Sequence, residues 1–309
     1  MQKPSIYDQT VLLPKANNLG VNDALKTCAD FVDALGKKYK LPTVDYWISM
    51  TNINQRMQKA NPSATLIGND RVHPGPVGHL VMAYQFLKTE NAARYVSKIV
   101  IAKNTSKSAS KSENCEITNV SVEKNKATFT VKESSLPFPI VKAQVDALAL
   151  IPFVDELNVE LVQVMGLNPG DYKLKIDGEL TGSFSNKQLN EGINLANNAT
   201  TPQYKQAMKV RDVLWELRAV VAKSRTLKFI EYNADFKRCP NKTDLSVVEA
   251  YMDSVFSTAQ YVNPYYKLQL KNYLIYKLQE KELENSANEL REKAQQLAQP
   301  TAHTYTIET

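Results

Sequence analysis

The segment Gly68-Asn69-Asp70-Arg71-Val72-His73-Pro74-Gly75-Pro76-Val77-Gly78-His79 holds two of the three histidines in the chain. An aspartate stands three residues ahead of the first of them. On a loop leading into a Pro-started helix, Asp70 and His73 can bring a carboxylate beside an imidazole. The chemistry this serves is nucleophilic. The carboxylate accepts a hydrogen bond from one ring nitrogen, fixes the tautomer, and stabilises the imidazolium formed when the other nitrogen takes a proton from serine. Pro74 and Pro76 limit the loop's freedom and help hold the ring. Alone, D-x-x-H is what a capping Asp beside a surface His would also show, so the neighbouring residues have to decide. His79 follows on the helix and reads as structural. His303 sits in a polar tail and receives no role.

The elements that must position this loop follow from periodicity. Asn22-Asp23 can cap a helix through Ala24, Leu25, Cys28, Phe31, Val32 and Leu35, whose apolar positions recur at three- and four-residue spacing. Thr43 to Ile48 suits a short buried strand, followed by a polar loop. A second amphipathic helix runs from about Pro74 to Lys88, with Val77, Leu80, Val81, Tyr84 and Leu87 on one face. After Asn91 the pattern changes. Ile99-Val100-Ile101 suits a buried strand. The sets Ala127, Phe129, Val131, then Leu157, Val159, Leu161, then Tyr172, Leu174, Ile176 each alternate with polar residues, as half-buried strands do. Asp177-Gly178 and Asn168-Pro169-Gly170 are turns, and the Ser/Lys/Asn-rich stretch 103–114 reads as a mobile loop. Residues 91–186 are therefore expected to form a small antiparallel β module. Beyond Asn186 the period is helical, with one helix starting at Pro202 and another stretch from Pro264. The latter ends in a heptad-like seam of Leu283, Ala287, Leu290, Ala294 and Leu297. That seam is too short to define a coiled coil, so no oligomeric state is read from it.

The run D-R-V-H-P-G-P-V-G-H-L-V-M-A-Y-Q-F-L resembles the last motif block of the SGNH (GDSL-type) esterase/lipase family. In that family D-x-x-H supplies the Asp and His of a Ser-His-Asp triad. The approach through Asp45, Met50, Asn52, Ile53, Asn54 and Gln55 fits the same pattern. Leu174-Lys175-Ile176-Asp177-Gly178, Gly192-Ile193-Asn194-Leu195-Ala196 and Thr201-Pro202-Gln203 look like the C-terminal extension of some bacterial members. The resemblance implies that Asp70 orients His73, and that His73 serves as general base and then general acid. It implies an α/β architecture, with part of a three-layer α/β/α (flavodoxin-like) hydrolase domain over 1–90. The β module (91–186) and a helical C-terminal region (187–309) follow. It also implies a serine esterase acting on an acyl or acetyl ester of a small molecule or a glycan. Such extended members are commonly exported, which implies a periplasmic or extracellular location, although the N-terminal residues given carry no signal peptide.

Other parts of the family pattern are missing. The family nucleophile lies in Gly-Asp-Ser, whereas Gly170-Asp171 is followed here by Tyr172 and Gly182-Ser183 lacks the flanking glycines of a nucleophile elbow. Gly20-Val21-Asn22-Asp23 matches the family's G-x-N-D by letters but follows polar residues and reads as a helix cap. Pro4 to Asp8 looks like the loop after the third block, so the front half of the hydrolase domain is expected to be absent. Exposed apolar faces over 1–90 and an inactive chain are the expected consequences.

Composition limits the remaining possibilities. The 38 basic and 32 acidic residues leave a net charge of +6. They are scattered, with no Arg-rich stripe, which argues against a nucleic-acid partner. No long uncharged apolar run is present for a membrane span. Cys28, Cys115 and Cys239 match no C-x-x-C spacing, and three histidines are too few for a His-rich metal centre. No cofactor or metal is expected. The alternative reading is a non-catalytic carbohydrate-binding or interaction protein, with Tyr261, Tyr265 and Tyr266 as stacking surfaces.

Overall fold

A computed structural model describes residues 1–10, 13–103 and 108–309. The chain forms two compact units, one of residues 1–204 with 300–309 and the other of 205–299. The stretches read as separate domains, 1–90 and 91–186, thus lie within one unit, and the last ten residues return to it. The α/β class expected from the sequence holds, with helices and two sheets.

Within residues 1–90, α1 (Val21–Tyr39) begins after Gly20, whose φ of 79° is left-handed and easy only for glycine. The cap expected at Asn22 is therefore Gly20. Asn22 sits in the first helical turn, and its side-chain amide holds Tyr7 through both backbone groups, at 3.0 and 2.7 Å. The strand expected over 43–48 is not formed. Val44 makes a single parallel bridge to Gln2, and α2 (Tyr46–Ala60) starts at once. Asp45 caps that helix, its Oδ1 accepting from the Ile48 amide at 2.9 Å. Tyr46, Met50 and Ile53 are its buried stripe at helical spacing. The next helix, α3 (Pro76–Thr89), falls where the sequence placed it, with Pro76 in the first turn and Leu80 and Val81 buried. Helices α2 and α3 share a core, through Met50, Leu80 and Val81, with Ile6, Leu66 and Phe153. The apolar stripe of α1 is largely unpartnered: Phe31 is 64% exposed and Cys28 is exposed.

The rest of the first unit is a two-sheet sandwich. Its elements are β1 (Tyr95–Lys103), β2 (Ser108–Glu113), β3 (Cys115–Val122), β4 (Lys126–Glu133), α4 (Phe153–Glu156), β5 (Val159–Met165), β6 (Asp171–Ile176), β7 (Glu179–Ser185), α5 (Asn186–Glu191), β8 (Ile193–Asn194) and β9 (Ala302–Glu308). One sheet runs β2-β1-β5-β8 and the other β3-β4-β9-β6-β7. Facing side chains of both sheets, among them Ile101, Val162, Phe129, Leu174 and Ile307, make one core. Three expectations are corrected here. The module is not wholly antiparallel, because β1 and β5 pair in parallel with Ile99 opposite Val162 and Ile101 opposite Val164. Much of the expected 103–114 loop is strand, since residues 108–113 pair with β1; residues 104–107 lie outside those described. The expected polar tail around His303 is strand β9, inserted between β4 and β6, with His303, Tyr305 and Ile307 turned inward.

The boundary between the units falls within α6 (Pro202–Glu231), and the second unit continues with α7 (Leu245–Phe256), α8 (Tyr265–Lys277) and α9 (Glu280–Leu297). Leu227, Ile230, Val248, Met252, Leu270 and Tyr273 form its core. The heptad-like seam is the buried side of α9, through Leu283, Ala287 and Ala294. The three cysteines are free thiols.

Candidate active site

The D-x-x-H segment is a tight loop closed by an antiparallel bridge between Ile67 and Pro74. The Gly68 amide donates to the His73 carbonyl at 2.7 Å, and the Arg71 amide donates to Gly68 at 2.9 Å. Below the loop, Asn54 of α2 accepts from the Leu66 amide at 3.0 Å in a buried position. Gly78 of α3 packs so closely that a Cβ there would collide with the Leu66 carbonyl. Asn54, one of the approach residues noted in the sequence, thus holds the segment that enters the loop.

Asp70 and His73 meet as predicted. His73 Nδ1 lies 2.5 Å from Asp70 Oδ2, while Asp70 Oδ1 accepts from the Val72 and His73 amides, each at 3.0 Å. Those bonds hold the Asp70 carboxyl well below the usual carboxylate range. The His73 amide contributes most, then the imidazole, then the Val72 amide. A carboxylate gripped in this way accepts the Nδ1 proton and leaves Nε2 unprotonated in the neutral ring. The His73 side chain is 82% exposed, and no described residue bonds to its Nε2. The pair therefore has a free basic nitrogen and no nucleophile among the described residues.

Of the two residues between them, Arg71 carries a role that the sequence does not show. Arg71 is 2% exposed, with φ at 68°. Its guanidinium donates to the backbone carbonyls of Lys15 (2.5 Å), Asp8 (3.1 Å), Leu13 (3.2 Å) and Thr10. The Asp8 amide returns a bond to the Arg71 carbonyl at 3.0 Å. Arg71 thus ties the loop to residues 8–15. Its signal in the sequence was only a charged residue inside a motif, which ordinarily predicts exposure.

His79 lies exposed on α3, with Nδ1 on the Gly75 carbonyl at 3.0 Å. A second Asp–His pair appears where none was expected. His303 Nδ1 lies 2.6 Å from Asp177 Oδ2, and its Nε2 lies 3.1 Å from Thr301 Oγ1. With both ring nitrogens engaged, this pair has no free base and serves to fix β9 beside the β6–β7 turn. Asn22, in the G-x-N-D match, spends its amide on Tyr7. In the helical unit Tyr261 and Tyr266 pack on each other at 4.7 Å between ring centres and on Phe256, as a core does.

No protein-family model matches the sequence, and no curated protein matches it. Among solved structures, one described as a gut microbial diltiazem-metabolizing enzyme is similar to this chain with a TM-score of 0.86. The two are 27% identical, and the match covers all of this chain and 72% of the other. The chain therefore has the α/β fold of a known enzyme.

Proposed function

We propose that this chain carries the acid–base half of an SGNH-type serine esterase. Asp70 Oδ2 fixes the Nδ1–H tautomer of His73. The outward Nε2 takes the proton of a serine hydroxyl as that oxygen attacks an ester carbonyl. The imidazolium, stabilised by Asp70, then gives the proton to the leaving alcohol. In deacylation Nε2 does the same for water, releasing the acid and restoring the serine. The serine and the oxyanion donors come from outside the described residues. The ester is an acyl or acetyl ester, on a small molecule or on carbohydrate.

The observation that carries the reading is the 2.5 Å Asp70–His73 pair with a free Nε2, held by backbone amides rather than by chance side-chain contact. The likeness to an enzyme that metabolises diltiazem supports it, because that drug bears an acetyl ester. Imidazole 15N spectra test the pairing in the chain as it stands. In the neutral ring the Nδ1–H tautomer of His73 should predominate, and an Nε2–H tautomer would remove His73 as the base.

A further inference from the structure

The interior of the sheet sandwich holds two carboxyl side chains that the proposed chemistry does not use. Glu133 ends β4, Glu160 lies on β5 of the facing sheet, and both are buried. Glu133 Oε1 accepts from the Ser97 hydroxyl of β1 at 2.7 Å. Its Oε2, both oxygens of Glu160 and the Oε1 of buried Gln203 have no donor among the described residues. Ser97, which bonds Glu133, stands opposite Glu160 in the β1–β5 pairing, so the Glu160 carboxyl lies against Glu133, as does the Gln203 amide. The Gln203 Nε2 is directed to the Tyr305 hydroxyl of β9 at 2.6 Å. Both oxygens of Glu160 and the Gln203 Oε1 therefore lack any hydrogen to accept, and Glu133 has only the Ser97 hydroxyl and the Gln203 amide beside it among the described residues, which is costly in a dry interior.

The other titratable groups around the pair do not relieve this. Tyr305 faces it from β9 and Cys115 from β3; burial raises both, the thiol to about 11, so each stays neutral. His303 on β9 attracts Glu133 through space but gives its Nδ1 to Asp177. No Lys or Arg forms an ion pair with either glutamate among the described residues, and no three metal-ligating side chains gather there.

We propose that Glu133 and Glu160 share one proton between them, and that this interior proton makes the first unit a sensor of rising pH. One proton turns an acceptor–acceptor contact into a carboxylic acid–carboxylate hydrogen bond. Its loss to water would leave two like charges facing each other without solvent. The same burial, with the Glu133 charge added for Glu160, pushes both carboxyls above their usual range. The sign follows: the folded state keeps a proton that the unfolded chain releases in the ordinary carboxyl range. The stabilisation is complete below that range and is lost as pH rises through the raised folded value.

Two measurements on the whole chain test this. In the infrared, the wild type at pH 7 should show the carbonyl stretch of one protonated carboxylic acid, absent in Glu160→Gln. In denaturant titrations, the unfolding constant should rise by up to about tenfold per pH unit between the ordinary carboxyl range and the raised value. Glu160→Gln should flatten that slope. If Glu160→Gln does not fold, Glu133→Gln and the wild-type infrared band carry the test. An absent acid band, or equal slopes in wild type and variant, would overturn the proposal. So would stabilisation by calcium or sodium ions that Glu160→Gln removes, since the pair would then be a cation site.

Discussion

Asp70 takes two of its three hydrogen bonds from backbone amides, so its position does not depend on the ring it orients. Because the folded carboxyl titrates below its usual range, its grip on the loop is present above the ordinary Asp value. It is lost only as pH falls through the lowered one. Asp70→Asn puts an amide donor where the acceptor for Nδ1–H stood, and the 15N spectrum of His73 should change from the Nδ1–H to the Nε2–H tautomer with the fold unchanged. An unaltered spectrum would mean that Asp70 does not orient the ring. Arg71→Met should act differently, through the fold. It leaves four backbone carbonyls without their buried donor and should lower stability by about 3 kcal/mol in denaturant titrations. The Asp70–His73 contact is legible only through the residues around it, Pro74-Gly75-Pro76 and Gly78-His79, which resemble a motif in which the two meet; the three-residue spacing alone does not decide it. Arg71 is not legible, because its partners are carbonyls, which every residue has. Glu160 is hidden in the sequence because Leu157, Val159 and Leu161 also alternate with polar residues, whereas in the strand Glu160, Val162 and Val164 face the core.

Helix α3 and strands β4 and β6 were read correctly because one face of each is apolar at its own period. Helix α2 was read as strand and loop. Its stripe begins with Tyr46, just after the capping Asp45, and polar residues separate Met50 from Ile53. Strand β9 was missed because its partners lie more than a hundred residues away and its only local signal is His303-x-Tyr305-x-Ile307. At this scale Gly78→Ala is informative. Replacing a helical glycine by alanine ordinarily gains up to about 1 kcal/mol, less in the first turn, where Gly78 lies. Here the new methyl meets the Leu66 carbonyl, and a loss of about 2 kcal/mol is expected instead. Ile307→Ala should cost about 3 kcal/mol, since β9 is the interior strand joining β4 to β6. Retention of wild-type stability by Ile307→Ala would mean that the C-terminal strand is dispensable.

For the whole molecule, the α/β class and the order of helical, β-rich and helical stretches were legible in the sequence. The two-unit division was not, because it depends on residues 300–309 returning to the first unit. The helical unit has its own core of Leu227, Val248, Met252 and Tyr273. Residues 205–299 expressed alone should show helical circular dichroism and cooperative thermal unfolding. A featureless melt would deny them that independence. The esterase reading is tested most directly by turnover of an acetyl ester by this chain supplied with a serine nucleophile segment of the SGNH type, with and without His73→Ala. The account predicts hydrolysis with His73 in place, a fall in kcat of about a millionfold in the variant, and a KM within a few fold. Near-normal turnover by His73→Ala would contradict it.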